Sequence, residues 1–375
     1  MQRLSAREIE LVRLVHERPN LTRSEAAERM GASSGTLANL VGSLTSARLL
    51  DEGQARPSGG RGRPTRELVA HPDGPLVLAS VVDHESWRMA AAQIGGDEIA
   101  TRSGSHDGED SGQLVRSLRL AATELSSQCS GRVRGIGVAV PGLVQENRLV
   151  TAPLLGLGDV DLTEITIGNL PVSVINDAAA GALAEARRGV ATGTALHLHL
   201  HLDAGIGGAM TSDGGLLGGA SGLVGEFGHM PFGAPDTRCP CGALGCWTTA
   251  VSADALLAGC GDPKPRNSVT SARVVLAAAR RGDRAARQAA APVARCLGRG
   301  IAGLINSLNV DLVSLGGLAP ELRAVTSQDF SEALSDGLMR ARRHRIPAIV
   351  DGQLQDRAPI VGAAEQIWSA LMPRL

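Results

Sequence analysis

Short apolar segments alternate with alanine-rich segments along most of the chain, and this alternation limits the possible folds more than any other feature. The apolar segments have the length and composition of β-strands, and they comprise residues 76–82, 133–140, 172–175, 195–202 and 312–315. Residues 114–125 and 178–187 have the composition of helices. Strands that alternate with helices predict an α/β architecture.

Glycines directly follow three of the predicted strands. They occur in Val140-Pro141-Gly142, in residues 204–208 and in Leu315-Gly316-Gly317. Ligands bind at the strand ends of α/β sheets, where bare backbone amides suit phosphate groups or sugar hydroxyls. A single cluster is more typical of a tight turn, so none of the three identifies a phosphate site by itself.

The first 30 residues predict two short helices. Leu11, Leu14 and Val15 have the spacing of one apolar helix stripe. Residues 22–25, Thr-Arg-Ser-Glu, form a capping-box sequence that starts a second helix, which we expect to run to about Met30.

A third helix is expected after Ser33, which suits the N-cap position. It has an apolar inward face and a polar outward face, formed by Leu37, Leu40, Val41 and Leu44 on one side and by Thr36, Asn39 and Ser43 on the other. Two short helices joined by a tight turn form the helix-turn-helix arrangement, whose second helix enters the DNA major groove. Ser34, Thr36 and Asn39 are therefore the candidate DNA contacts, and asparagine can pair with adenine. A three-helix cap with a solvated face is the alternative.

A basic segment follows these helices and ends a predicted DNA-binding domain of residues 1–70. Residues 53–66 contain four arginines, four glycines and two prolines but no acid, which predicts a mobile basic loop. Its sequence Gly-Arg-Gly-Arg-Pro resembles the wing of a winged helix, with Arg61 and Arg63 placed to enter a minor groove. Residues 1–70 hold eleven arginines against eight acids, and this excess favours DNA binding over the solvated cap.

Global composition excludes a membrane protein. The formal net charge is -1, no apolar run approaches the length of a membrane span, and the amphipathic N-terminus carries acids where a signal peptide is apolar. Six cysteines in 375 residues are not a disulfide framework. We therefore expect a cytoplasmic protein in which Cys129, Cys260 and Cys296 are small buried apolar side chains.

The other three cysteines lie close together in Arg-Cys-Pro-Cys-Gly-Ala-Leu-Gly-Cys-Trp, residues 238–247. Cys239, Cys241 and Cys246 offer three thiolates, and His229 lies ten residues upstream of the first. Three sulfurs and one nitrogen make the closed tetrahedral shell of a structural Zn²⁺ site, with no open position for a catalytic water. A redox pair or free thiols are the alternative, but they leave the close triple unexplained.

A second metal hypothesis concerns His197, His199 and His201, because strand alternation places these imidazoles on one face. Neighbouring residues on one strand face lie about 7 Å apart and diverge with the twist, so three rarely reach one ion. A half-buried strand with one apolar face is the preferred interpretation.

Several motifs resemble the ROK family of repressors, open reading frames of unknown role, and sugar kinases. The cysteine loop is similar to the family motif C-x-C-G-x-x-G-C, and residues 225–229 match the preceding G-E-x-G-H. The resemblance extends over nearly the whole chain, through Val140-Pro141-Gly142, Asn176-Asp177, Ala184-Glu185, residues 205–208, residues 315–320 and residues 360–364. The N-terminal helices and basic wing resemble those of the family's transcriptional regulators.

This resemblance implies a two-lobed actin-like ATPase domain, related to ribonuclease H, over residues 71–375. Its second lobe would span roughly residues 181–358 and carry the zinc loop at 229–246. A sugar would bind between the lobes, held by Asn176 and Asp177, with further contacts from Glu226 and His229. In the family's kinases the aspartate serves as general base.

Two departures from the family pattern decide how such a domain is used. Where a ROK kinase has Asp-x-Gly-Gly-Thr after its first strand, this chain has Asp83-His84-Glu85-Ser86-Trp87, so ATP phosphates would meet a carboxylate instead of open amides. Thr248 stands where the family usually has a sugar-binding glutamate, and a neutral hydroxyl binds a sugar more weakly. We expect no catalytic residues and no kinase activity.

The sequence therefore predicts a DNA-binding repressor whose kinase-like domain senses a sugar or sugar derivative. Paired operator half-sites require a homodimer or homotetramer. Three alternatives stay open: a regulator without an effector, an active ATP-dependent sugar kinase, and a zinc- or redox-responsive switch.

Overall fold

The computed structural model describes residues 4–56, 65–84, 86–106, 110–152, 155–218, 225–261 and 267–375. The N-terminal part contains three helices and a two-stranded antiparallel hairpin: α1 (Ala6–Glu17), α2 (Arg23–Arg29), α3 (Ser34–Ser46), β1 (Leu50–Arg56) and β2 (Thr65–Ala70). We call residues 4–70 the head. Its order of elements, with a hairpin after the third helix, is that of a winged helix-turn-helix and confirms the prediction.

Local side-chain caps start the helices of the head. Thr22 accepts a hydrogen bond from the Glu25 amide at 3.3 Å, and Glu25 accepts one from the Thr22 amide at 2.8 Å, which completes the predicted capping box. Ser33 caps α3 by accepting from the amide of Thr36 at 3.1 Å. The predicted inward faces are buried, with Leu11, Val15, Leu37, Val41 and Leu44 all less than 5% exposed.

The prediction of a loop throughout residues 53–66 was wrong at both ends. Residues 53–56 belong to β1 and residues 65–66 to β2, because the two strands continue their antiparallel pairing past an irregularity between Glu52 and Ala55. Arg61 and Arg63 lie outside the described residues.

The first lobe is built on a five-stranded mixed sheet. Its region contains β3 (Leu76–Val82), β4 (Ser86–Gln93), β5 (Glu98–Ser105), α4 (Ser111–Gln128), β6 (Val133–Val140), β7 (Leu143–Gln145), β8 (Arg148–Ala152), β9 (Leu157–Asp161), β10 (Val172–Asn176) and α5 (Asp177–Arg188). The strand order is β10-β6-β3-β4-β5, and β7, β8 and β9 form a separate three-stranded sheet. Strand β3 pairs parallel to β6 and antiparallel to β4.

The second lobe is built on another five-stranded sheet. Its elements are β11 (Leu196–Leu202), β12 (Ile206–Ser212), β13 (Gly215–Leu216), α6 (Ala253–Gly259), α7 (Ser268–Arg280), α8 (Arg284–Leu308), β14 (Leu312–Gly317), α9 (Ala319–Val325), α10 (Ser327–Gly337) and β15 (Ala348–Asp351). The strand order is β13-β12-β11-β14-β15. The last long helix, α11 (Ala358–Leu371), returns to the first lobe and packs against β6 and α5. These two sheets confirm the predicted α/β class and its two lobes.

Strand β11 corrects the prediction of a half-buried strand. His197, His199 and His201 are only 0%, 1% and 7% exposed, so the polar face is buried as well as the apolar one. The reason is that α5 packs closely on that face. A Cβ atom at Gly181 of α5 would lie only 2.8 Å from His199 Nε2. Ser314 of β14 contacts both His197 Nε2, at 2.7 Å, and His199 Nδ1, at 2.8 Å.

Burial of the isolated cysteines differs from expectation at one position. Cys129 is buried and Cys296 half-buried, whereas Cys260 is exposed because it lies at the surface end of α6. Within the described ranges, no helix combines the length and the apolar character that a membrane crossing requires.

The apolar core of the head continues into the first lobe. One cluster of buried side chains includes Leu11 and Val15 of α1 together with Ile367 and Trp368 of α11. The division into residues 1–70 and 71–375, with a second lobe at roughly 181–358, stays a prediction.

Candidate functional site

The outward face of α3 carries the three residues predicted to contact DNA. Ser34, Thr36 and Asn39 are all exposed. The Thr36 hydroxyl lies 2.9 Å from that of Ser33, so it is partly engaged in the cap. Ser43 is also exposed, but its hydroxyl donates to Glu8 of α1 and so ties α3 to α1. The structure therefore presents a polar helix face without assigning contacts on it.

The zinc loop folds through its glycines. Arg238 pairs with Leu244 in an antiparallel bridge, and the Cys239 amide donates to the Ala243 carbonyl at 2.8 Å. Gly242 and Gly245 have φ values of 96° and 69°, a region that residues with a Cβ rarely adopt. This tight turn brings Cys239, Cys241 and Cys246 to one point.

His229 completes a four-residue cluster with the three cysteines. The ligand atoms of all four residues lie within 4.8 Å of one another. Cys241 Sγ is 3.7 Å from Cys246 Sγ, and Cys239 Sγ is 3.8 Å from His229 Nδ1. A tetrahedral Zn²⁺ with bonds of about 2.3 Å to sulfur separates its ligands by about 3.8 Å. These residues therefore fit the structural zinc site that the sequence predicts.

The environment of Cys246 disfavours the ionised form of its thiol. Cys246 is fully buried, and burial together with the neighbouring cysteines raises the pKa of its thiol to about 12. A thiolate at this position is therefore unfavourable without a positive ion. When bound, Zn²⁺ would supply that charge and link the loop to His229.

His229 also faces the predicted effector residue Glu226. Its Nε2 lies 3.6 Å from Glu226 Oε2, on the opposite side of the ring from the cysteines. Both side chains are roughly half exposed, at 41% and 47%. A ring held by a metal through Nδ1 thus has Nε2 directed at a carboxylate, an arrangement that fixes the orientation of both side chains.

Asn176 and Asp177 lie where β10 ends and α5 begins. Asn176 caps α5 by accepting from the Ala179 amide at 3.0 Å, and its Nδ2 donates to the Gly142 carbonyl at 2.9 Å. Asp177 Oδ1 accepts from the Ala178 amide at 2.8 Å. The glycine cluster after β6 is thus tied to the start of α5.

The start of β12 brings the predicted effector residues together. Thr248 accepts from the Ile206 amide at 3.2 Å, and a Cβ built on Gly207 would lie 3.0 Å from Cβ of Ala178. Gly228 packs directly against the Ile206 carbonyl. The segments that carry Asn176, Asp177, Glu226, His229 and Thr248 therefore lie near the start of β12, and we call this region the cleft.

Sequence reasoning missed an ion pair in the cleft. His201 Nε2 lies 3.2 Å from Asp203 Oδ2, at the end of β11. Although burial opposes protonation, Asp203 raises the pKa of His201 to about 9, and His201 in turn lowers the pKa of Asp203. The signal available in the sequence was the position of Asp203, directly before the glycine cluster at 204–208.

Two further carboxyl groups of the cleft ionise with difficulty. Burial and the charges of Asp203 and Asp177 raise the pKa of Asp83 to about 6, and burial raises the pKa of Asp177. The Asp83 amide donates to the Ser86 carbonyl at 2.8 Å, which closes the turn between β3 and β4. A group that binds here meets the carboxyl groups of Asp83 and Asp177, while Glu85 of the segment 83–87 lies outside the described residues.

Comparison with known proteins identifies the class to which this fold and site belong. The profile of the ROK family matches residues 110–369, which is more than half of the chain. The chain belongs to the ROK family.

Relatives of known name fall into two groups. A xylose repressor of Caldicellulosiruptor bescii is 26% identical over 372 residues, covering 94% of this chain and 92% of the repressor. A glucokinase of Halalkalibacterium halodurans is 31% identical over 237 residues, covering 56% of this chain and 70% of the kinase.

Solved structures show the same division. A ROK family transcriptional regulator, described as a homologue of the E. coli MLC protein, superposes with a TM-score of 0.76 at 23% identity and covers 98% of this chain and 96% of the regulator. A ROK family glucokinase from Streptomyces griseus, in complex with glucose and AMPPNP, gives a TM-score of 0.67 at 22% identity and covers 78% of this chain and 98% of the kinase. Both likenesses concern the fold.

Proposed function

We propose that this protein is a DNA-binding transcriptional repressor whose kinase-like domain senses a sugar. One observation carries the proposal: the similarity to a xylose repressor extends over 94% of the chain. A superposed kinase, in contrast, accounts for 98% of its own length with only 78% of this chain. The chain therefore has a segment beyond the kinase fold, and the head with its capped α3 is that segment.

The head supports operator binding through Ser34, Thr36 and Asn39. The three side chains are exposed on one helix, where they can reach base edges. Arg61 and Arg63 would add phosphate or minor-groove contacts from the wing. Two such heads would read paired half-sites, so we propose a homodimer or homotetramer.

The cleft supports binding of a neutral sugar rather than phosphoryl transfer. Ser86 and the buried Trp87 stand in the segment where the family's kinases have glycine and threonine, so we infer that this turn lacks the open amides that hold ATP phosphates, whereas the carboxyl groups of Asp83 and Asp177 are shared with those kinases. The same carboxyl oxygens are good acceptors for sugar hydroxyls. We therefore propose that Asn176, Asp177, Glu226, His229 and Thr248 hold an effector and that the domain is catalytically inactive.

The zinc loop would brace this effector site. Cys239, Cys241, Cys246 and His229 fit structural Zn²⁺, and His229 also lies beside Glu226. We propose that the ion keeps His229 and Glu226 in position for the sugar, and that the protein works in the cytoplasm.

Binding to DNA from the protein's own upstream region tests the proposal. Fluorescence anisotropy at fixed near-physiological salt, with scrambled competitor DNA, should give specific binding. Asn39→Ala should weaken that binding about tenfold, because a base contact contributes about 1–3 kcal/mol. Ser46→Ala is the matched control: Ser46 is exposed near the end of the same helix and bonds only the Gly42 carbonyl, so affinity should not change.

Sugar titrations and an activity assay separate the remaining alternatives. D-xylose and D-glucose, added to the complex, should release the DNA if the cleft is a sensor. Specific binding that no sugar in a broad panel alters would favour a regulator without an effector. ATP-dependent phosphorylation of a sugar would favour an active kinase and overturn the inactivity that we propose. DNA binding that follows the free zinc concentration or an oxidant would favour a metal or redox switch.

A further inference from the structure

His16 joins the head to the body of the protein through a buried polar contact. It lies in the last turn of α1 and is only 3% exposed. Its Nδ1 accepts a hydrogen bond from the Gly95 amide, in the turn between β4 and β5, at 3.1 Å. Its Nε2 lies 3.2 Å from a carboxylate oxygen of Glu365 of α11 and 2.9 Å from Nη2 of Arg188.

Glu365 is the centre of a buried ion network at this junction. Its carboxylate is 2% exposed and contacts Arg188, which also donates to the Gly95 carbonyl at 2.6 Å. Arg187 lies 3.4 Å away and donates to the Glu365 backbone carbonyl at 3.2 Å. Burial alone would raise the pKa of Glu365, but His16, Arg188 and Arg187 lower it to about 2. We call His16, Arg187, Arg188 and Glu365 the junction cluster.

Helix α5 connects this cluster to the cleft. It begins at Asp177 and ends at Arg188. Its 12 residues span about 18 Å, so one rigid element has a proposed effector residue at one end and two guanidinium groups of the junction at the other.

Helices α5 and α11 pack with their backbones in direct contact. A Cβ on Gly362 of α11 would overlap the Ala180 carbonyl of α5, so no side chain separates the helices there. Glu185 of α5 is fully buried and accepts from the Leu354 amide at 2.8 Å, which ties the helix to the end of the second lobe. These contacts make α5 and α11 the structural link between the cleft and the side chains of Arg188 and Glu365.

The head has space to respond to such a displacement. A cavity of about 960 Å³ lies at the junction of head and body. It is lined by Arg13 and Glu17 of the head and by Gly96 and Gly214 of the body. The four residues of the junction cluster also line this cavity. They supply buried polar contacts between α1 and the body.

We infer that His16 and Glu365 are positioning residues that set the orientation of the DNA-binding head and transmit the state of the cleft to it through α5 and α11. The inference rests on the proposed function, since it presumes DNA binding that a sugar controls. It adds the route: the signal passes through a buried charge network and not through the zinc loop or the wing.

The test compares full-length variants for DNA binding with and without D-xylose. Glu365→Gln keeps the shape of the side chain but removes the charge that holds Arg188 and His16. His16→Leu removes both ring nitrogens and keeps an apolar contact with Trp368, whose ring centroid lies 5.7 Å from that of His16. Allosteric coupling typically changes affinity about 5- to 150-fold, and in both variants the change should fall below about twofold. Sugar-free specific binding is measured for the wild type and both variants in the same titrations, so that loss of coupling is read from the ratio of the affinities with and without sugar and not from a change in overall affinity.

Two controls separate this role from general damage. Arg13→Ala alters the wall of the same space without touching the junction cluster, and its sugar response should equal that of the wild type. The double variant His16→Leu/Glu365→Gln should behave as the single variants do, because both changes break one pathway. A sugar response that persists undiminished in both single variants overturns the inference.

Hydrogen exchange decides the case in which no sugar acts on the wild type. In that case the sugar-sensing proposal fails, but the positioning role still predicts a change in hydrogen exchange. Amides of residues 6–17 should exchange at least about tenfold faster in Glu365→Gln than in the wild type and the Arg13→Ala control. Equal exchange rates would overturn the inference without reference to any effector.

Discussion

Replacement of Gly300 by alanine should loosen the zinc loop from a distance. Trp247 directly follows the ligand Cys246, is fully buried, and donates from Nε1 to the Cys296 carbonyl of α8 at 3.1 Å. Gly300 of the same helix faces the indole. A Cβ at Gly300 would lie 2.8 Å from Nε1 and closer still to two ring carbons, so the ring must move by about 1 Å to restore ordinary contact distances.

Three contributions set the change in the free energy of unfolding that we expect for Gly300→Ala. Overpacking a buried site costs about 1–3 kcal/mol. The strained indole hydrogen bond adds about 1 kcal/mol, and the better helix propensity of alanine offsets about 1 kcal/mol. We expect Gly300→Ala to lower the free energy of unfolding by about 2 kcal/mol and to speed loss of zinc to a chelator, because Cys246 moves with Trp247.

Gly303→Ala is the matched control in the same helix. A Cβ there would lie 3.1 Å from Phe232 Cζ, but Phe232 is 44% exposed and has room to shift. Its free energy of unfolding should equal or exceed that of the wild type by up to about 1 kcal/mol. Urea denaturation and zinc release measured side by side provide the assay. If the two variants agree within about 0.5 kcal/mol and release zinc equally fast, the steric argument is refuted.

Three further predictions concern the zinc site, the cleft and the head. Cys241→Ser should abolish stoichiometric zinc in elemental analysis of the purified protein, whereas Cys260→Ser should retain it, because the thiol of Cys260 is no part of the four-residue cluster. Asp83→Asn should stabilise the protein: the raised pKa of Asp83, about 6 against an ordinary 3.8, contributes stability below pH 3.8 that is lost as the pH rises through 6. The gain should therefore be present at pH 7–8 and absent below pH 4 in urea titrations, and it should be only about 1 kcal/mol, because the carboxyl group is packed among other cleft residues on one side but open to solvent on the other. Thr22→Ala should lower the free energy of unfolding by about 1 kcal/mol through loss of the α2 cap, measured by urea denaturation; an unchanged midpoint would contradict the capping role.

Features that depend on residues close in sequence were predictable. The capping box of Thr22 and Glu25 joins positions three apart, and the cysteine loop spans eight residues. The apolar segments became strands with nearly the expected bounds, because a run of buried side chains in a parallel sheet has few polar residues. The membership of His229 in the cluster was also predictable, since only ten residues separate it from Cys239.

Features that depend on packing between distant elements were not predictable. His16 and Glu365 are 349 positions apart, and no local pattern marks either as half of a buried polar contact. The sequence of β11 suggested a polar face toward solvent, but Gly181 of α5 lets another element cover it. Burial of a polar side chain depends on which neighbour arrives, and that neighbour belongs to a different part of the chain.

The sequence by itself therefore determined the elements, their caps, the His/Cys cluster and the family. Each of these follows from spacing within a few turns of chain, where covalent geometry limits what the residues can do. Only the tertiary structure decided the charge state of the cleft, the His201–Asp203 pair and the connection between head and body. Those properties arise because folding removes titratable side chains from water and brings together charges from distant parts of the chain. Neither effect is present in the unfolded chain.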